Sequence, residues 1–89
     1  MTTDSTKKSI LMYSTSWCSD CIRAKMFFDE HKIDYTEIDI DYDSDAEAKV
    51  LKLNKGLRSV PTIIISQEGK EDLILVEPDR RRLEETFLK

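Results

Sequence analysis

The sequence predicts an α/β fold, and three observations carry that prediction. Short apolar runs of strand length alternate with stretches whose apolar residues recur at helical spacing. The last two runs follow one another directly, separated only by a turn around Gly69, which places a hairpin after a parallel half. No apolar run approaches the roughly 20 residues needed to span a bilayer, runs such as Leu73 to Val76 and Ile63 to Ile65 being far shorter.

Taken in order, residues 1–8 are polar and are expected to be a frayed tail, with nothing apolar to offset the entropy of ordering. Residues 9–89 are expected to form a single domain. Ser9 to Ser14 carries Ile10, Leu11, Met12 and Tyr13, a run that suits a central strand covered on both faces. From Ser19 to about His31, Cys21, Ile22, Ala24, Met26, Phe27 and Phe28 mark a helix free of Gly and Pro. Ile33 to Ile40 alternates through Tyr35, Ile38 and Ile40 and closes a strand-helix-strand unit, which implies a parallel pair.

Ser44 or Asp45 is expected to cap a second helix whose apolar residues are Ala46, Val50, Leu53 and Leu57, with Gly56 as its stop. Thr62 to Ser66 is β-branched and Asp72 to Val76 is apolar, so these are the hairpin strands. Pro78 and Asp79 open a last helix with Leu83, Phe87 and Leu88 facing inward. Right-handed crossover and short connections then favour one mixed four-stranded sheet in a βαβαββα chain, with helices on both faces.

Composition removes several function classes. With 39% of its 89 residues apolar and 36% charged, the chain can fill a modest core under a solvated surface, which excludes disordered and fibrous classes. A net charge of -4 is opposite to what nucleic acid or anionic lipid selects, so neither is an expected partner. Met1 to Ser9 lacks the apolar stretch of a secretory signal, which makes the cytoplasm the expected compartment. The two cysteines, Cys18 and Cys21, are too few and too close for a secreted disulfide framework and read as reactive.

Their placement gives the chemistry. Cys18 falls where the first strand hands over to a helix N-terminus, where unpaired backbone N–H groups and the helix dipole favour a thiolate. Cys21, one turn later, lies on the same face within disulfide reach but deeper against the sheet. Cys18 is therefore the candidate nucleophile and Cys21 the candidate resolving thiol of a disulfide exchange. The carboxylate of Asp20 opposes the dipole and is expected to tune Cys18 by disfavouring its thiolate. Zinc normally takes four ligands, and two cysteines with His31 at the far end of the helix do not supply them, so no metal is expected. Inert buried cysteines are the structural alternative. Pro61 stands at the first position of a strand, either as a loop-ending trans residue or as a functional cis one.

Trp17-Cys18-Ser19-Asp20-Cys21, followed about forty residues on by Arg58-Ser59-Val60-Pro61-Thr62, resembles the glutaredoxin branch of the thioredoxin superfamily. Element order and the acidic stretch Asp39-Ile40-Asp41 also resemble that branch, including the mycoredoxins of bacteria that use mycothiol. The resemblance implies a thioredoxin fold with sheet order 2-1-3-4, Cys18 as nucleophile, Cys21 as resolving thiol and a cis Pro61 beside them. It implies that Val60 pairs its backbone with substrate, that Ser59 belongs to the same substrate-binding segment, and that Arg58 matches a basic position holding a carboxylate of glutathione. It also implies a monomer with no bound cofactor, using glutathione or mycothiol as reducing co-substrate on protein disulfides or mixed disulfides. The chain departs from the branch in three places: Ser19 and Asp20 stand between the cysteines, Ser14-Thr15-Ser16 replaces a basic stretch before them, and Leu75-Val76-Glu77-Pro78-Asp79 replaces the paired glycines.

Rival readings are a redoxin regenerated by a flavin reductase, a module holding an iron–sulfur cluster or metal through Cys18, and a redox-inert adaptor. Asp39, Asp41, Asp43 and Asp45 alternate as in a calcium loop but lack its Gly and Glu, so they read as a solvated acidic turn. Arg80-Arg81-Arg82 reads as a solvated face with Glu84 and Glu85 as i+4 partners, and Trp17 as a contact surface or a lid beside the thiol.

Overall fold

The computed structural model describes residues 8–88 in the order β1 (Lys8–Ser14), α1 (Ser19–Glu30), β2 (Thr36–Asp39), α2 (Ser44–Leu53), β3 (Thr62–Gln67), β4 (Leu73–Val76) and α3 (Arg80–Phe87). The strands form one mixed sheet in the order β2-β1-β3-β4. β1 runs parallel to β2 and antiparallel to β3, and β3 pairs antiparallel with β4. The sheet order and the βαβαββα succession are those expected of the sequence. The expected tail falls almost wholly outside the described residues, but Lys8 is already part of β1, paired with Gln67.

The two central strands are apolar throughout because both of their faces are covered. Ile10 and Met12 of β1, with Ile63 and Ile65 of β3, meet Ala24, Phe27 and Phe28 of α1 and Leu83 of α3 on one face. Tyr13 and Ile64 point the other way and meet Ile40, Ala46 and Val50 around α2. Successive strand residues thus alternate between two clusters, and a one-residue slip would exchange them.

Four boundaries differ from expectation. β2 is confined to Thr36–Asp39, because Tyr35 precedes the ladder and instead lays its ring 4.9 Å from that of Phe28. The cap of α2 is Asp43, whose carboxylate accepts the Ala46 N–H at 3.0 Å, rather than Ser44 or Asp45. Leu57 is not on the inner face of α2 but 65% exposed, since the helix stops at Leu53 and Gly56, at φ 89, turns the chain away after its N–H bonds the Leu51 carbonyl. Leu88 likewise lies past the end of α3 and is 48% exposed.

Candidate dithiol site

The loop from β1 to α1 delivers Cys18 as the N-cap of α1, in extended backbone at φ -87 and ψ 116. Its sulfur accepts the backbone N–H of Cys21 at 3.1 Å, a role that caps usually give to oxygen. On its other side the Cys18 thiol donates to the Val60 carbonyl at 3.6 Å. Both cysteines are free thiols; Cys18 keeps 8% of its surface and Cys21 none. Burial, and then the hydrogen bond with Cys18, push the Cys21 thiol up to about 12, while the Thr15 backbone and the charge of Lys25 pull the other way. Cys21 is therefore fully protonated at neutral pH.

The wall facing Cys18 comes from the segment before β3. The Val60–Pro61 bond is cis. Pro61 is buried, and its carbonyl accepts the Glu77 N–H at 2.8 Å, which ties the wall to the end of β4. Thr62 donates its hydroxyl to the Ser59 carbonyl at 2.7 Å and accepts from the Asn54 amide at 3.2 Å, so the end of α2 holds the same segment. Val60 is thereby brought beside Cys18.

One residue, Asp41, joins Trp17 and Arg58. Trp17 is 69% exposed and donates its indole N–H to Asp41 at 3.1 Å. Arg58 gives Nη2 to the other oxygen of Asp41 and Nε to Glu47 at 2.6 Å. Asp20 forms an ion pair with Arg23, one turn further along α1, so the carboxylate expected to act on Cys18 already has a cation beside it.

A third group of polar residues lies on the face of the sheet covered by α1. Glu37 of β2 accepts the buried Ser14 hydroxyl at 2.6 Å and the Lys25 ammonium at 3.1 Å. Burial alone would push the Glu37 carboxyl up, but the hydrogen bonds from Ser14 and Lys25 outweigh it and hold the group below the usual carboxylate range. Lys25 is held above its ordinary value, chiefly by its hydrogen bond to Glu37. The Thr15 hydroxyl, between this group and the cysteines in sequence, is buried with no partner among the described residues.

Of the residues that sequence reasoning singles out, the structure brings Cys21 and Val60 to the Cys18 sulfur and joins Trp17 to Arg58 through Asp41. Sequence reasoning misses Asp41, Glu47, Lys25, Glu37 and Asn54. Of these, Lys25 carried a signal in its i+4 spacing from Cys21 on a recognised helix, and Asp41 stood in the acidic stretch Asp39-Ile40-Asp41, which gave no hint of its partners. Among the described residues no group of three or more His, Cys, Asp or Glu is arranged to hold a metal ion. A cavity of about 360 Å³ opens between α1 and α3, bounded by Asp20, Arg23, Met26, Pro78 and Arg80, and neither cysteine lines it.

A mixed sheet in this order, with paired cysteines at the start of its first helix and a cis proline facing them, defines a redox protein of the thioredoxin fold. Within that class the glutaredoxin family model matches residues 10–69, and the chain belongs to that family. A chain of Mycobacterium tuberculosis that bears the glutaredoxin name is 38% identical over 55 residues, covering 62% of this chain and 66% of its own length. Among solved structures, the glutaredoxin of Archaeoglobus fulgidus superposes with a TM-score of 0.62 at 27% identity, over 86% of this chain and 83% of that one. The glutaredoxin of buckwheat, solved as a glutathione complex, superposes with a TM-score of 0.53 at 30% identity, over 63% of this chain and 53% of that one. The chain thus spans just under two thirds of the mycobacterial relative and about half of the buckwheat protein.

Proposed function

We propose that this glutaredoxin-like protein is a thiol–disulfide oxidoreductase that works through both cysteines. The observation that carries the reading is the setting of the Cys18 sulfur, which accepts the Cys21 backbone N–H at 3.1 Å and faces Val60 at 3.6 Å across the cis proline wall. A backbone donor at a helix N-terminus stabilises negative charge on that sulfur and supplies it without reorganisation.

In the first step the Cys18 thiolate attacks one sulfur of a substrate disulfide; a Cys18–substrate disulfide forms, and the other substrate sulfur leaves as a thiolate. Substrate backbone pairs beside Val60 in a short strand-like contact, with Ser59 and Pro61 shaping that surface and Trp17 offering an exposed aromatic face. In the second step Cys21 loses its proton and attacks Cys18, releasing the reduced substrate and leaving the Cys18–Cys21 disulfide. Burial keeps Cys21 a thiol until then, but its hydrogen bond and charge repulsion with Cys18, which also raise it, end when Cys18 enters the mixed disulfide. Lys25, whose charge favours the Cys21 thiolate, remains.

The cycle closes when two molecules of a low-molecular-weight thiol, glutathione or mycothiol, attack in turn, the first forming a mixed disulfide with the pair and the second releasing the reduced protein and leaving with the first as their own disulfide. The buckwheat relative's complex with glutathione supports this class of co-substrate. Protein disulfides and mixed disulfides are the substrates, with the protein acting as a cytoplasmic monomer. No helix among the described residues is long and apolar enough to cross a membrane.

The test is oxidation of the reduced protein by a mixed-disulfide peptide, followed by mass spectrometry after acid quench. Cys18→Ser is expected to abolish exchange, and Cys21→Ser to stop at a Cys18–peptide adduct. Full activity in Cys18→Ser would overturn the proposal.

A further inference from the structure

Arg58 stands two residues before Val60, whose carbonyl the Cys18 thiol meets at 3.6 Å, and through Asp41 its guanidinium is joined to Trp17, the residue before Cys18. A planar guanidinium fork is the natural receptor for a carboxylate on an incoming disulfide. Here the fork is already engaged: Nη2 bonds Asp41, and Nε bonds Glu47 at 2.6 Å. One cation between two carboxylates leaves a local charge of one negative, not one positive. The same Asp41 accepts the Trp17 indole N–H at 3.1 Å, so it fixes both flanks of the rim at once.

We propose that Asp41, seconded by Glu47, is the specificity-determining residue of the exchange site. By occupying Arg58 it turns the site toward disulfides that are uncharged next to sulfur and away from those bearing carboxylates. The inference rests on the exchange reading above and adds the charge class of the substrate, so that of the two candidate co-substrates it disfavours glutathione, which bears two carboxylates. A carboxylate-bearing disulfide must either displace Asp41 or Glu47 from Arg58 or approach a net negative rim; an uncharged one meets neither obstacle.

The experiment compares second-order rates at which the reduced protein is oxidised by hydroxyethyl disulfide, which is neutral, and by dithiodipropionate, which carries two carboxylates. Rates are read by acid quench and mass spectrometry at low salt. Asp41→Asn keeps an oxygen for Trp17 while removing the charge. It is expected to raise the dithiodipropionate-to-hydroxyethyl rate ratio by about 1.5- to 5-fold, the range set by one exposed ion pair. Glu47→Gln, which leaves Trp17 untouched, is expected to move the ratio in the same direction, and the double variant further than either. An unchanged ratio in both single variants, or an equal loss with both disulfides, would overturn the assignment while leaving the exchange reading intact. Failure of the unsubstituted protein to react with either disulfide would instead overturn the exchange reading.

Discussion

The two sulfur atoms differ by what surrounds them rather than by what they are. Cys21 is enclosed and held as a thiol, whereas Cys18 keeps 8% of its surface. One equivalent of iodoacetamide at neutral pH is therefore expected to label Cys18 alone, and peptide mapping that found Cys21 labelled first would contradict the assigned order. The raised Cys21 value also sets a stability window. A group whose folded value lies above its ordinary 9.0, here about 12, contributes stability that is complete below pH 9 and lost as pH rises toward 12. The reduced protein should accordingly lose Tm on going from pH 9 to pH 11, and Cys21→Ser should lose less over the same range. Asp20 is a different case: with Arg23 bonded to it, its charge is largely compensated at the Cys18 end of α1. Asp20→Asn is expected to change the alkylation rate of Cys18 by less than about twofold, the effect of an exposed and paired charge, while Arg23→Gln, which leaves that carboxylate unpaired, slows it.

Each helix is started by a residue that bonds its own first turn, and two of the three caps are aspartates. Asp43 bonds Ala46 and Asp79 bonds the Arg82 N–H at 2.9 Å, so Asp79→Ala should lower stability by about 1 kcal/mol in chemical denaturation. Local sequence shows Asp79 plainly, because Pro78 precedes it and Leu83 and Phe87 follow at helical spacing. It does not separate Asp43 from Ser44 and Asp45, since all three side chains can cap and the choice is made by where the chain leaves β2. Pairing between β2 and α1 is further from reach, as Glu37 and Lys25 carry no periodicity that links them. Glu37, held below the usual carboxylate range, contributes stability above that range that is lost as pH falls through its folded value. With both side chains about a third exposed, the pair is worth less than about 1 kcal/mol, and Glu37→Gln should flatten the acid limb of the stability curve by no more than that.

At the scale of the molecule, two apolar clusters on opposite faces of the sheet hold the site between them. The unbroken apolar runs of β1 and β3 made both faces legible, because a central strand covered on each side must be apolar on each side. The rim was legible only in part: Trp17, the cysteines and Pro61 stand in compact motifs, but the bonds from Asp41 to Trp17 and to Arg58 join residues 24 and 17 positions apart with no pattern to announce them. Phe28, fully buried where α1, α3 and the sheet meet, is the residue on which the larger cluster turns, and Phe28→Ala is expected to cost about 3–5 kcal/mol in urea unfolding. The same packing bears on how electrons pass. Phe27 and Phe28 lock the far half of α1 into the interior, so a bond made or broken between its two sulfur atoms is expected to leave the helix where it is. Under the proposed exchange, oxidised and reduced forms would then share one scaffold, and which way the traffic runs would be left to the partner with the stronger pull.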